Sequence, residues 1–181
     1  MRVITGTARG RKLKEPEGNA IRPTTDMVKE ALFNIIQFDI EGRKVLDLFA
    51  GTGQLGIEAL SRGAASCDFV DNSKAACQLV RDNLKSSELD GGRVFQRDAI
   101  SFLERGERYD LVFFDPPYDL RNLDRIITKI IQFDILNQNG IIVCETKTET
   151  TLPDVSAPYQ KGRAYRYGKV TITLYTKESI E

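Results

Sequence analysis

The chain has 181 residues, 41% of them hydrophobic and 29% charged, which is the composition of a folded domain and excludes a disordered or fibrous chain. It contains no histidine, which excludes catalytic triads and removes the commonest general base and metal ligand. Its three cysteines lack disulfide or zinc spacing, and no apolar run is long enough for a signal peptide or a membrane-spanning helix. We therefore expect a soluble, cytoplasmic protein without a metal or an obligate protein partner.

Two basic segments interrupt an overall charge of zero. Residues 1–14 carry five cations and residues 155–170 carry four, and neither segment contains an acid. The second segment also holds Tyr159, Tyr165 and Tyr167, and cations interleaved with aromatic rings suit phosphates and stacked bases. Solvated surface is an equally good interpretation of such runs. On the nucleic-acid interpretation, the predicted substrate contacts are Arg9, Arg11, Lys12, Arg22, Arg163 and Arg166.

The first predicted elements precede the main sheet. A short strand is expected at Arg2–Thr5, followed by a glycine-rich basic arm over Gly6–Gly18. In the helix that follows, apolar residues such as Val28 and Leu32 recur with a 3.6-residue period. The threonine pair before Asp26 supplies its start signal.

From residue 44 to residue 145, short apolar runs alternate with longer amphipathic ones, which is typical of a parallel sheet built from βαβ units. The predicted strands are Lys44–Phe49, Ser66–Val70, Arg93–Gln96, Leu111–Phe114 and Ile141–Cys144. The predicted helices are Leu55–Ser61, Lys74–Lys85, Ile100–Glu104 and Leu123–Phe133. A strand at Lys169–Thr176, preceded by Gln160–Tyr167, predicts a hairpin at the sheet edge. We expect one α/β domain over residues 1–181, with a basic arm over 1–22 and a catalytic core over 23–181.

A glycine turn follows the first of these strands. Residues 45–56 form a buried run, a turn with the pattern G-x-G-x-x-G and the start of a helix. The pattern alone is weak evidence, because nicotinamide and flavin proteins use it for a pyrophosphate and tight turns use glycine for conformational reasons. Asp47, four residues before Gly51, favours another ligand. Its carboxylate would repel a pyrophosphate but attract the ammonium of an amino-acid cofactor.

Two more acids end the next two strands. Asp71 is positioned to accept hydrogen bonds from ribose hydroxyls and Asp98 to meet an adenine amino group, because the carboxyl ends of parallel strands meet at one crevice. Each acid taken singly is more often a helix cap, but their joint spacing is harder to explain as capping. The predicted cofactor contacts are Asp47, Gly51, Gly53, Asp71, Asn72, Asp98 and Ala99.

The sequence Asp115-Pro116-Pro117-Tyr118 follows the fourth strand. Two prolines make a rigid turn whose carbonyl oxygens are free to accept hydrogen bonds. If Asp115 and the Pro116 carbonyl each accept one N–H of an aromatic amine, its lone pair can point at a methyl donor, while Tyr118 stacks on the base. The predicted catalytic residues are therefore Asp115, Pro116 and Tyr118, and Tyr118 is also a substrate contact. The alternative is that residues 115–118 are only a turn at the end of a strand, with Tyr118 packed in the hydrophobic core.

Segments along most of the chain match one family: Arg2–Gly6, Gly10–Leu13, Ile21–Asp26, Glu30–Asn34, Asp47–Gly51, Glu58–Ala64 and Asp115–Tyr118. They resemble the RsmD family, bacterial 16S ribosomal RNA (guanine-N2)-methyltransferases of class I. The resemblance implies a three-layer, Rossmann-like sheet, mostly parallel with an antiparallel last strand, and the cofactor S-adenosylmethionine. It also implies that the substrate is one guanine of 16S rRNA in the small ribosomal subunit. Thr52 and Gln54 depart from the expected Ser and Ala, and the sequence diverges after Glu145.

Other functions share parts of these signals. An adenine-N6 DNA methyltransferase or a glutamine-N5 protein methyltransferase would use the same tetrapeptide, but a sequence-specific DNA enzyme usually needs a separate target-recognition domain. A nicotinamide oxidoreductase is favoured by G-x-G-x-x-G and opposed by Asp47. A non-catalytic RNA-binding module that kept the fold is the fourth hypothesis.

Overall fold

The computed structural model describes residues 1–17 and 25–179, and a single sheet organises them. Its strands are β1 Lys44–Leu48, β2 Ser66–Asp71, β3 Gly92–Gln96, β4 Tyr109–Phe114, β5 Leu136–Lys147, β6 Tyr159–Tyr167 and β7 Val170–Lys177. Their order across the sheet is β3-β2-β1-β4-β5-β7-β6. The pairs among β1 to β5 are parallel, and β7 lies antiparallel to both of its neighbours. The predicted α/β class and the antiparallel last strand are therefore confirmed.

The helices of the described residues are α1 Asp26–Ile35, α2 Gln54–Ser61, α3 Lys74–Ser87, α4 Ala99–Leu103 and α5 Leu123–Gln132. Side-chain caps begin three of them. Thr25 accepts a hydrogen bond from the amide of Val28 at the start of α1, and Ser73 accepts one from Ala76 at the start of α3. Asp98 does the same for α4, where it accepts from the amide of Ser101 at 3.1 Å. Each cap satisfies an amide that has no partner within its helix.

The sheet is covered on both faces, because successive side chains of a strand point to opposite sides. On one face, Phe113 of β4 packs with Phe33 of α1, their ring centroids 5.6 Å apart. On the other face, the next residue, Phe114, belongs to a second core that includes Ile127 of α5. The first core takes in α1, α2 and α3 and the second takes in α4 and α5, which gives the predicted three layers.

The predicted strands and helices of the core are confirmed apart from their ends. The first strand stops at Leu48 rather than Phe49, because Phe49 has a positive φ of 69° that turns the chain out of the sheet. Strand β5 begins at Leu136, five residues before the predicted start at Ile141. The residues between Leu136 and Ile141 are polar or glycine, so the hydrophobic pattern did not indicate the first part of the strand. The predicted edge hairpin is β6 and β7, with β6 at the edge.

The N-terminal segment contains no strand of the sheet. The prediction of a strand at Arg2–Thr5 is wrong, because only an isolated bridge joins Arg2 to Lys12. Val3 makes two backbone hydrogen bonds within the same turn, donating to Arg11 and accepting from Gly10. Residues 1–13 thus close on themselves instead of extending a sheet.

Residues 1–17 are also not a free arm, because a buried acid of α2 holds them. Glu58 is fully buried, and its carboxylate accepts hydrogen bonds from the amides of Ile4 and Thr5 at 2.8 and 2.9 Å. Two cations pair with the same carboxylate, Lys29 at 3.5 Å and Arg62 at 2.9 Å. A buried charge needs such partners to offset the loss of water. The basic extension therefore has a defined position on the first core.

Candidate active site

A cleft of about 1280 Å³ opens at the carboxyl ends of β1, β2, β4 and β5. Ligands of open α/β sheets bind at this edge, where the strand order reverses on either side of the first strand. The cleft brings together seven of the predicted cofactor and catalytic residues, which are Asp47, Gly51, Asp71, Asn72, Asp115, Pro116 and Tyr118.

The glycine turn has two parts with different tasks. Gly51 has a φ of 56°, and a Cβ there would point into open space, so the backbone lies bare at the cleft. Gly53 has a φ of 79° and does not line the cleft; a Cβ there would lie 3.1 Å from Val80 Cγ1. A contact between Gly53 and a cofactor stays a prediction. The task of Gly53 in the structure is the turn itself, where its amide donates to the carbonyl of Ala50 at 2.7 Å.

Asp47 lies at the floor of the cleft on β1. Only 1% of the residue is exposed, and Oδ2 accepts a hydrogen bond from the amide of Gly56 at 2.9 Å. Burial raises the pKa of Asp47 to about 7, since the charged carboxylate has lost most of its water. A ligand ammonium at the cleft would restore a favourable partner for the charged form.

Asp71 is held rigidly beside the turn at the end of β2. Its Oδ2 accepts from the amide of Gly51 at 3.0 Å, and its Oδ1 accepts from the amide of Ser73 at 2.9 Å. Each carboxylate oxygen has a second lone pair, so the side chain can still accept hydrogen bonds from a pair of hydroxyls.

Asp98 and Ala99 lie in a second, smaller pocket of about 200 Å³. This pocket shares Phe49, Asp71 and Asn72 with the large cleft, so the two adjoin. Asp98 caps α4, which is the alternative that the sequence offered for a single acid at a strand end. It also lines the pocket. Together the two adjoining spaces contain Asp47, Asp71 and Asp98.

These residues fit a cofactor that carries both an ammonium and a ribose. Besides the acids, Gln54 Oε1 is buried and accepts no hydrogen bond from the described residues, and Gln54 lines the cleft. A buried acceptor without a donor is costly, so this atom suits a ligand that brings one. In the sequence, Gln54 was notable only because the family resemblance leads one to expect Ala at this position.

The predicted catalytic tetrapeptide, residues 115–118, lines the same cleft as the predicted cofactor residues. Asp115 follows the last residue of β4 directly, and Pro117 closes the turn by accepting a hydrogen bond from the amide of Leu120 at 2.9 Å. The ring of Tyr118 is not core, because 41% of the residue is exposed. Lys147 Nζ lies 5.3 Å from the centroid of that ring. The bland interpretation of a core aromatic is therefore wrong for Tyr118.

The sequence did not predict several other lining residues, among them Glu145, Lys14 and Glu15. Glu145 of β5 is a buried acid in the cleft wall, and Lys14 and Glu15 bring the N-terminal segment to the rim. Asn83 of α3 fixes this segment: its Oδ1 accepts from the amide of Lys14 at 2.7 Å, and its Nδ2 donates to the carbonyl of Thr52 at 2.9 Å. The position of Glu145, directly after an apolar strand, could have indicated a site residue. Nothing in the sequence indicated that Lys14 and Glu15 would reach the cleft.

The predicted substrate residues lie on two separate surfaces. Arg9 and Lys12 are exposed on the N-terminal segment, while Arg11 is paired with Glu88 at 2.8 Å. Arg163 and Arg166 are exposed on the edge strand β6. Arg22 lies outside the described residues.

The aromatic residues of β6 differ from one another. Tyr159 is buried, and its hydroxyl donates to Asp134 at 2.8 Å, so it is not available to stack on a base. Tyr165 and Tyr167 are partly buried against the first core. The idea that all three tyrosines interleave with the cations at the surface is therefore wrong.

Two absences apply to residues 1–17 and 25–179. No group of three or more His, Cys, Asp or Glu side chains among them could hold a metal ion. Within the same part of the chain, no helix is both long enough and apolar enough to cross a membrane.

Comparison with known proteins identifies relatives over nearly the whole chain. A profile of the family described as Conserved hypothetical protein 95 matches residues 1–176. The chain is 37% identical to ribosomal RNA small subunit methyltransferase D of Escherichia coli (strain K12), covering 99% of this chain and 91% of that protein. It is 41% identical to YlbH of Bacillus subtilis (strain 168), named as a candidate rRNA methyltransferase, over 98% and 99% of the two chains.

Solved structures agree with the sequence relatives. The structure of yhhF from Escherichia coli, named as a candidate methyltransferase, has a TM-score of 0.88 at 38% identity and covers 98% of each chain. A protein called SMU.776, solved as a complex with S-adenosylhomocysteine (SAH), has a TM-score of 0.67 at 19% identity, covering 83% of this chain and 48% of that one. The second likeness concerns the fold alone. The chain belongs to the RsmD family of methyltransferases, and its cofactor is S-adenosylmethionine.

Proposed function

We propose that the protein transfers a methyl group to the exocyclic N2 amine of one guanine in 16S rRNA of the small ribosomal subunit. The relatives named as ribosomal RNA methyltransferases support an rRNA substrate. The single observation that carries the chemistry is that Asp115 and Tyr118 share one cleft with Asp47 and the glycine turn. A ribosomal RNA substrate implies a cytoplasmic enzyme.

Bound S-adenosylmethionine supplies an electrophilic methyl group on its sulfonium, so neither a metal nor a histidine is needed. In the proposal Asp47 accepts from the ammonium of the cofactor and Asp71 from its ribose hydroxyls. Gly51 leaves its backbone open to the ligand, and Asn72 lines the same wall. Asp98 and Ala99 hold the adenine of the cofactor in the adjoining pocket.

The tetrapeptide activates the acceptor amine. An aromatic amine is a poor nucleophile because its lone pair is delocalised into the ring. Asp115 and the Pro116 carbonyl each accept one N–H, which draws the nitrogen toward tetrahedral geometry and turns its lone pair to the methyl group. The exposed ring of Tyr118 stacks on the base and holds it in line.

The edge hairpin extends the substrate side of the cleft. Lys147, which lies beside the Tyr118 ring, pairs with Val170 of β7, and Val170 pairs with Tyr167 of β6. This register supports RNA contacts by Arg166 near the cleft and by Arg163 farther along β6. We propose one domain over residues 1–181, in which the core is residues 23–181 and residues 1–22, including Arg9, Lys12 and Arg22, contact phosphates.

The test is transfer of labelled methyl from S-adenosylmethionine to small ribosomal subunits purified from cells that lack the enzyme. Nucleosides from the digested 16S rRNA are then separated by mass spectrometry. We expect label only in N2-methylguanosine. Label in N6-methyladenosine would overturn the guanine assignment and leave the fold and cofactor standing, while label in DNA or protein alone would overturn the RNA substrate.

A further inference from the structure

Glu145 is a buried carboxylate in the active-site cleft that the proposed chemistry does not use. It lies near the carboxyl end of β5, and only 3% of the residue is exposed. It nevertheless lines the cleft together with Asp115 and Tyr118. An acid in the wall of this cleft can accept hydrogen bonds from a bound substrate.

The register places Glu145 beside Asp115. Strands β4 and β5 are parallel, with Phe113 paired to Val143 and Phe114 paired to Cys144. The next residues are Asp115, directly after β4, and Glu145, still within β5, so the two acids lie at one level on neighbouring strands. Neighbouring strands are about 4.8 Å apart in the direction of the strand hydrogen bonds. Strand β4 lies between β1 and β5, so a base amine held by Asp115 has Asp47 of β1 on one side and Glu145 of β5 on the other.

The same side chain faces the cofactor side of the sheet. Val143 belongs to the first core, and side chains alternate along a strand, so Glu145 points to the same face as Val143. Asp47 of β1 pairs with Phe113, which belongs to that core as well. Across β1, β4 and β5 the face thus carries the ammonium site, the amine site and then Glu145.

The bases differ in the ring nitrogen next to the amine. The N2 amine of guanine lies between ring N1, which carries a hydrogen and is a donor, and ring N3, which has a lone pair and is an acceptor; N1 is the one that distinguishes guanine. Beside the N6 amine of adenine and the N4 amine of cytosine, the corresponding ring nitrogen has a lone pair and is an acceptor. An ionised carboxylate is an acceptor only, so it attracts the first and repels the other two. A carboxylate next to the amine site would therefore favour guanine over adenine and cytosine.

We propose that Glu145 accepts a hydrogen bond from N1–H of the target guanine and thereby makes the enzyme specific for that base. This inference rests on the proposed function, because it assumes that the tetrapeptide holds an exocyclic amine. A site that binds a hydrogen-bond donor of its substrate rejects an analogue that lacks that donor.

The test compares two RNAs in reconstituted small subunits. The nucleotide that the parent enzyme methylates is first mapped, and 16S RNA is then ligated with guanosine or 2-aminopurine riboside at that position. The 2-aminopurine base keeps the exocyclic amine but has a lone pair at N1 and lacks O6. The loss of O6 affects parent and variant alike, so the change in the preference ratio between the two proteins reports on N1.

We expect the parent to favour guanosine in kcat/KM by about 100-fold or more. Glu145→Gln should lose about 10- to 100-fold on guanosine, because a charged acceptor is replaced by a neutral amide. Its preference for guanosine should shrink at least about tenfold, since the amide can donate to the N1 lone pair of 2-aminopurine. Glu145→Asp should keep the preference at a lower rate. The matched control is Glu149→Gln, an exposed acid just beyond β5, which should behave as the parent.

Calorimetric affinity for S-adenosylmethionine accompanies each variant and should stay within about twofold of the parent if only N1 recognition is lost. An unchanged preference ratio in Glu145→Gln, or a parent that methylates both RNAs equally well, overturns the role of Glu145. A parent that methylates no guanine of the small subunit overturns the proposed function instead. The two failures are therefore distinguishable in one experiment.

Discussion

On the cofactor side of the cleft, formed by Asp47, Gly51 and Asp71, backbone amides hold both acids in place. On the substrate side, formed by Asp115, Tyr118 and Glu145, strand register and a proline turn set the positions, and the Tyr118 ring is 41% exposed. The acids of the first side are thus fixed by the protein itself, as we propose for a cofactor site, whereas the second side presents an exposed ring, as we propose for an RNA site. Changes on the first side should therefore alter cofactor affinity, and changes on the second should alter turnover.

The largest effect is expected on the substrate side, from Asp115→Ala. The variant should lose about 100- to 1000-fold in kcat, because an acceptor that acts on the amine during the reaction has gone. Its calorimetric affinity for S-adenosylmethionine should stay within about twofold of the parent. The matched control is Asp90→Ala, an exposed acid between α3 and β3 that should change neither quantity. Parent-like turnover in Asp115→Ala would refute the mechanism.

The next effect concerns the cofactor side and has a pH signature. Burial raises the pKa of Asp47 to about 7, so below that pH the carboxyl is protonated before an ammonium binds. Binding must then release the proton, and affinity for S-adenosylmethionine should fall as the pH drops from 7 to 5.5, by up to about tenfold per unit. Calorimetry over this range measures the slope.

Asp47→Asn is the variant that isolates this titration. At pH 7.5 it should bind S-adenosylmethionine about 10- to 100-fold more weakly, because a charged partner of the ammonium is lost. Below pH 7 its affinity should no longer vary with pH. Asp98→Asn, in the adjoining pocket, should keep the slope of the parent. A slope that survives in Asp47→Asn would mean that Asp47 does not meet the ammonium.

A smaller effect is expected far from both sides, on the N-terminal segment. The double variant Arg9→Glu/Lys12→Glu should weaken RNA binding about tenfold at moderate salt and reduce the salt slope by about one to two, if both cations contact phosphates. Arg11 is left intact, because it pairs with Glu88. Affinity for S-adenosylmethionine should not change. Lys129→Glu, on α5 across the sheet, is the control, and a slope equal to that of the parent in the double variant would make these cations ordinary surface.

The smallest effect is expected from Tyr118→Phe. The ring remains and can still stack on a base beside Lys147, so kcat/KM should fall less than about threefold. Tyr118→Ala removes the stacking surface and should cost about 10- to 100-fold, which sets the scale for the comparison. Equal losses in the two variants would show that the hydroxyl, rather than the ring, acts on the substrate.

Local chemistry made the core elements readable from the sequence. Hydrophobic period marked β1, β2, β4 and most helices, and Gly51 and Gly53 marked the turn because positive φ angles require glycine-like freedom. The acid of Asp47 indicated an ammonium ligand, and the βαβ pattern indicated a parallel sheet. The tetrapeptide at residues 115–118 could be recognised because two prolines and an acid at a strand end are a local signal.

Tertiary structure alone decided where distant segments meet. Glu58 is an unremarkable helix residue in the sequence, yet it holds the amides of Ile4 and Thr5 and converts a predicted arm into a docked segment. Tyr159 turns inward to Asp134, while Tyr118 turns outward. Glu145 comes beside Asp115 only through the pairing of β4 with β5. Local pattern reports which face a residue prefers, but contacts between segments depend on the register and packing of the whole sheet, which no short window of sequence contains.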